Sequence, residues 1–351
     1  MSFPFRKNVF HLFLLVTVIH ENLLMFCFIV KLIEVCTSRN HRETIKNLTE
    51  FQKIHMALIF SVVLWGGMFV AYAYLLPTVS ATEIITIRFV LVSISFLIVF
   101  VLVKKSRPKI PREKFGRLVL LAAIGIPGSQ LPAIHSQNYL SPSLASVLVT
   151  TSPAWAAVLS GWILRERLRG IQIAGFAIAF GGAAIVITFG SGSGALSVDN
   201  PWGAALCLLA PFTWAVFNVL YKREFGNLDP FSTIGVCLII GSFVMIPFYR
   251  SAARSLGEFS GSQWGWMIYT ALAGTVLAYY LWYWALQRLE ANKTMSYNYA
   301  VPISALLWSW LIMGILPSLI SILGGVILIS GVYLTQTQRS VKRKGERLEI
   351  H

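Results

Sequence analysis

Charge is scarce in this sequence, and acid is scarcer. Of 351 residues 14 are Asp or Glu, and charged residues of both signs make up 12% of the chain, where an ordinary soluble domain has about 25%. Cysteine is also sparse: Cys27, Cys36, Cys207 and Cys237 form no CxxC pair, which excludes a disulfide framework or a zinc site as the basis of the fold. The hydrophobic core has no HExxH, no P-loop, no acidic cluster suited to a metal and no nucleophile beside its base. An integral-membrane enzyme therefore has no evident chemistry to work with, and neither cofactor nor metal is expected.

What fills the chain is apolar. Hydrophobic residues make up 56% of it and the mean hydropathy is +0.70. Long apolar runs recur at 54–76, 83–103, 117–138, 143–164, 170–189, 201–221, 231–248, 264–286, 294–313 and 317–336, each near the roughly 20 residues a bilayer-spanning helix needs. The runs are continuously apolar rather than alternating, so helices are expected and not a barrel. The fold expected is an all-α polytopic membrane protein of ten transmembrane helices, with the lipid bilayer as its first partner.

Net charge is +15, and its placement argues against a nucleic-acid partner. With Ile54 entering from the cytoplasm, the inner segments from Lys31 onward hold 24 Lys and Arg, whereas the outer loops hold two, Arg250 and Arg254. Such a split is a positive-inside signal. It places both ends of the ten-helix core in the cytoplasm and the chain in the cell membrane.

Residues 1–53 read as an N-terminal extension dispensable for activity. Their apolar part, 10–33, has His20, Glu21 and Asn22 at its centre, where an ionisable group is costly, and no small-residue cleavage site follows it. Residues 337–351 form a basic cytoplasmic tail.

The core repeats itself. At a constant offset of 149, Trp65 falls on Trp214, Pro153 on Pro302, Ala156 on Ala305, Gly175 on Gly324 and Gly182 on Gly331. The first repeat is 54–189, an outer linker is 190–200 and the second repeat is 201–336. Five helices per repeat is an odd number, so the second repeat is expected to enter from the opposite side, the inverted arrangement of several secondary transporters. Pro153 and Pro302 lack the amides that would bond the carbonyls of Val149 and Asn298, beside the polar Thr150, Thr151 and Ser152. Gly175, Ala179 and Ala183 recur every four residues, a smooth ridge for close helix packing and a place for a homodimer contact.

These residues carry a resemblance. "LWGGMFV", "IRFVLVS", "VTTSPAWAAVLSGWILRERL" with "IAGFAIAFGGAAIVI", "FTWAVFNVLYKR", "VLAYYLWYWALQRLEA" and "YNYAVPISAL" make residues 56–336 similar to the EamA family of the drug/metabolite transporter superfamily. The resemblance implies ten helices in two inverted five-helix repeats, export of small metabolites, often amino acids, and a central cavity bordered by the helix that holds the aromatic stretch 276–286. One departure matters: Glu166 in "LRERL" fits the pattern, but its equivalent in the second half is Ile315.

Ionisable residues inside spans are candidate site residues by default. Arg88, with a planar fork suited to a carboxylate, is expected either to hold an acidic group of the substrate or to pair with Glu83. His135 is a candidate for proton coupling. No carboxylate lies in the first span, where small multidrug exporters of the related superfamily keep a glutamate, which disfavours proton-driven export of lipophilic cations. The remaining candidate lining is Trp65, Gln130, Thr151, Pro153, Trp214, Asn218, Tyr279, Tyr283, Tyr297, Asn298 and Pro302. The expected activity is export of a small-molecule substrate, an amino acid or similar amphiphilic zwitterion, by alternating access. A nucleotide-sugar or other organic-anion transporter of the same fold, and a passive facilitator, are the alternatives.

Overall fold

The computed structural model describes residues 50–136, 150–166, 168–190, 201–314 and 318–336. Most of the extension 1–53 lies outside these, as do the tail 337–351 and all of the linker but Gly190; residues 50–53 form the first turn of a helix. Among the described residues the chain is entirely helical, with no strand.

The helices are α1 (Glu50–Leu75), α2 (Ala81–Leu102), α3 (Arg112–Ser136), α4 (Ser152–Leu159), α5 (Gly170–Gly190), α6 (Pro201–Phe225), α7 (Pro230–Phe243), α8 (Tyr249–Leu256), α9 (Gly261–Ala271), α10 (Ala278–Leu286), α11 (Ala291–Ser296), α12 (Val301–Met313) and α13 (Leu319–Gln336). A π-helical turn, Ser160–Leu164, extends α4; another, Leu272–Leu277, joins α9 to α10; a 3-10 turn, Tyr297–Ala300, joins α11 to α12. Among the described residues three helices are long and apolar enough to cross a membrane alone, Glu50–Leu75, Ala81–Leu102 and Arg112–Ala133; Pro230–Phe243 with Ile246–Leu256 makes a fourth as a pair bent by 56°. Among the described residues three of the expected spans are broken: 231–248 and 294–313 by a 3-10 turn and 264–286 by a π turn.

Local signals start the helices. Ser80 and Glu83 form a capping box at α2, Ser260 and Gln263 another at α9, and the Asp229 carboxylate accepts from the Ser232 amide to cap α7. These side chains satisfy amides that a helix start leaves bare.

The second half of the chain repeats the first in structure. α2 and α7 begin at 81 and 230, α3 and α9 at 112 and 261, α4 and α12 at 152 and 301, α5 and α13 at 170 and 319, always 149 apart. The contacts repeat as well. Trp65 meets its own equivalent Trp214, ring centroids 6.1 Å apart, and Ser93 donates to its equivalent Ser242 at 2.9 Å. α5 packs along α13. There a Cβ on Gly175 would lie 2.8 Å from the Gly331 carbonyl oxygen, and one on Gly182 2.8 Å from that of Gly324. These are two copies of one contact, close enough that only glycine fits. The ridge of Gly175, Ala179 and Ala183 is therefore filled from within the chain, and a homodimer needs another face.

Backbone groups freed inside the bundle find partners, as an apolar surrounding requires. Pro132 in α3 has no amide for the Gly128 carbonyl, and the Thr213 hydroxyl of α6 lies 2.8 Å from that oxygen.

Candidate functional site

Arg88 lies about two turns into α2 and is buried, 4% exposed. It does not reach Glu83. That carboxylate accepts from the Ser80 amide at 3.2 Å and from the Ser251 hydroxyl, so it is used at the helix start. Arg88 instead donates from Nη1 to the Tyr72 hydroxyl of α1, and from Nη2 to Gln130 Oε1 of α3 at 2.7 Å. Its guanidinium stands 5.0 Å from the Phe89 ring centroid and 5.9 Å from that of Tyr72. Its Nε has no partner, and among the described residues no carboxylate pairs with it. A buried cation held by neutral groups alone is costly. An added anion relieves it.

Next to this cradle lies an aromatic layer. Trp65 on α1 has ring centroids 6.1 Å from Trp214 on α6, 5.9 Å from Tyr279 and 4.9 Å from Trp282 on α10; Trp214 and Tyr279 are 5.6 Å apart. The π turn explains how Trp65 is held. There the Ala278 amide bonds Ala273, five residues back, which turns the Gly274 carbonyl toward Trp65 Nε1, at 3.0 Å. Trp65 and Trp214 are half-buried, as are Tyr72 and Gln130.

Beyond that layer the interior is sealed. Asn218 Oδ1 accepts from Trp282 Nε1 at 2.8 Å, and Asn218 Nδ2 donates to the Trp214 carbonyl at 2.8 Å. Tyr283 packs 4.4 Å from Tyr221. Trp282, Asn218, Tyr221 and Tyr283 are all at 0% exposure. Asn218 and Tyr283, expected to line a cavity, are packed here, whereas Trp282, not among the expected lining, touches Trp65. In the rest of the aromatic stretch, Tyr280 packs on Phe231 and Trp284 lies under the Arg288 guanidinium.

The other expected residues fall elsewhere. Tyr297 is hydrogen-bonded to His55 Nδ1, and Asn298 Nδ2 donates to Ser152 Oγ at 3.5 Å, so these two tie the 3-10 turn before α12 to α1 and α4. Thr151 stands just before α4, with Pro153 in its first turn, and Pro302 is in the first turn of α12. A proline there removes an amide that has no helical acceptor anyway. The freed carbonyl expected at Asn298 is absent, because the Val301 amide bonds it at the end of the 3-10 turn. Val149 lies outside the described residues. His135 is exposed in the last turn of α3, apart from the cradle and the aromatic layer.

Sequence reasoning missed Tyr72, Trp282 and Lys222. A tyrosine 16 residues before Arg88 on another helix leaves no local pattern; only the 149 offset, which pairs it with Tyr221, marks it.

The chain matches the model of the EamA-like transporter family over residues 52–188 and again over 201–337. It is similar to an uncharacterized transporter of Archaeoglobus fulgidus, 25% identical over 287 residues that cover 81% of this chain and 99% of that one. A probable terminal-alkyne amino-acid exporter of Streptantibioticus cattleyicolor is 22% identical, covering 85% of this chain and 97% of its own. A solved crystal structure at 16% identity superposes with a TM-score of 0.68, over 81% of this chain and 96% of the other.

Proposed function

Since the chain belongs to the EamA-like transporter family, we propose that it is a secondary transporter, not an enzyme, that exports amino acids or similar amphiphilic zwitterions across the cytoplasmic membrane. Its core is ten transmembrane segments in two inverted five-helix repeats, with both ends in the cytoplasm. Substrate passes by alternating access between the repeats. The equal helix starts, the reciprocal contacts and the one-sided distribution of Lys and Arg support this arrangement.

The observation that carries the substrate class is Arg88, buried without a carboxylate partner beside the half-buried rings of Trp65 and Trp214. One fork takes one carboxylate, and aromatic walls take an ammonium group or an apolar side chain. The similar amino-acid exporter agrees with this class. A nucleotide sugar brings a diphosphate, which calls for more than a single cation.

The test is efflux of labelled amino acids and related metabolites from cells that express the chain. Selective efflux that is lost in Arg88→Ala, with the variant correctly inserted, supports the reading. Efflux of the same compounds unchanged in Arg88→Ala removes the role of Arg88, and efflux of organophosphates alone moves the substrate to the other class.

A further inference from the structure

Near the C-terminal end of α6 one carboxylate ties three separate segments together. Glu166 follows the π turn after α4, directly after Arg165, whose φ of 58° turns the chain out of the helix. Glu166 Oε1 accepts from Lys222 Nζ at 3.0 Å and from the Ala291 amide at 2.9 Å, and Oε2 accepts from the Asn292 amide at 3.2 Å. Lys222, in the last turn of α6, also donates to the Leu289 carbonyl. The Glu166 side chain is 11% exposed and that of Lys222 19%. At this depth charge-assisted hydrogen bonds are far less screened than on a surface.

Three features make this more than a loop anchor. Glu166 belongs to the first repeat, while Lys222, Ala291 and Asn292 all belong to the second, so the contact breaks if the repeats separate here. Along α6, Asn218 and Tyr221 stand between Trp214 and Lys222, and along α10 Trp282 and Tyr283 follow Tyr279 toward Leu289, all four at 0% exposure. The repeat cannot form the same contact at the other end, because the residues 149 away are Ile315 for Glu166 and Ala73 for Lys222.

We propose that Glu166, Lys222 and the Ala291 and Asn292 amides form a one-sided gate: this latch keeps the basic end of the bundle closed and biases the resting chain to open at the Arg88 end. Transport then requires the latch to break and re-form once per cycle. The proposal rests on the transporter reading and its orientation above. Two openings that exclude each other share one equilibrium, so loss of the latch shifts both in opposite directions.

The experiment uses the full chain with Cys27, Cys36, Cys207 and Cys237 replaced, and one of two reporter cysteines. Thr294→Cys is nearly isosteric and lies on α11, every residue of which is buried. Leu131→Cys lies next to Gln130 and is partly buried. A membrane-impermeant thiol reagent is applied to inside-out vesicles for the first reporter and to right-side-out vesicles for the second. Glu166→Ala and Lys222→Met are each expected to raise labelling at Thr294→Cys by about tenfold or more and to lower it at Leu131→Cys. Lys222→Arg keeps the ion pair and should label as the parent does. Unchanged labelling in both variants, or a rise at both reporters together, overturns the gate; the second result marks a loosened fold. If Glu166→Ala is not recovered from the membrane, Lys222→Met decides. Labelling needs no substrate, so its failure leaves the export reading standing, and absent efflux leaves the gate standing.

Discussion

Two places 149 residues apart hold the same backbone and opposite chemistry. In the first half Tyr72, Arg88 and Gln130 form a cradle around a charge; the equivalent residues of the second half are Tyr221, Cys237 and Tyr279. Cys237 and Tyr221 are at 0% exposure, and none of these three residues is a cation. The latch breaks the symmetry in the other sense, with Glu166 and Lys222 facing across the basic end and Ile315 and Ala73 at their equivalents. The repeat thus sets the frame, and these charges sit where the repeats differ. The two charges also differ in how fully they are used: Glu166 accepts from three donors, whereas Arg88 keeps a bare Nε and no counter-charge. Of the two, Glu166 has a charged partner and Arg88 has none among the described residues, and a buried charge without one is costly.

The largest effect is expected where the frame itself is touched. Gly182→Leu or Gly331→Leu forces a side chain into the backbone of the partner helix. Each should cost about 3 kcal/mol or more and remove most folded protein, measured as thermal stability in detergent; the two losses should be alike if the contact is reciprocal. Arg88→Met comes next. It should lower export by about 100-fold while the folded protein becomes no less stable, because a buried cation with no carboxylate is replaced by an apolar chain; a fall in stability equal to the fall in export would make Arg88 a structural residue. Arg88→Lys keeps charge without the fork and should fall between.

Trp65→Ala tests the wall next to the cradle and should raise KM about tenfold, a loss of roughly 1–2 kcal/mol of contact, with Trp214→Ala acting in the same direction. The smallest effect belongs to the hydroxyl pair between the repeats. Ser93→Ala should cost about 1 kcal/mol of stability, Ser242→Ala somewhat more because Ser242 Oγ also donates to the Ile239 carbonyl at 2.7 Å, and the double variant little more than Ser242→Ala, since both remove the bond they share. A fully additive double variant would show that the serines act apart.

Much of the frame is legible along the chain. Hydropathy places most segment limits within a few residues of the helices, and the Trp65 and Trp214 match anticipates two rings that meet. The errors have local causes. Pro302 looks like a break that frees the Asn298 carbonyl, but the chain tightens into a 3-10 turn and Val301 takes that oxygen. The small-residue ridge on α5 reads as a surface for another subunit, whereas α13 of the same chain covers it. Glu166 stands out in the sequence only as a match to the family pattern, because its partners lie 56 and 125 residues further on, beyond the reach of any local pattern.

Composition and the 149-residue repeat by themselves pointed to a helical membrane protein built twice from one unit, because apolar spans and paired helices leave periodic marks along the chain. Only the tertiary structure decided which of the many aromatic and polar side chains meet. Whether a charge meets a counter-charge depends on groups brought together from distant helices, and that difference separates Glu166, paired with Lys222, from Arg88, held by Tyr72 and Gln130.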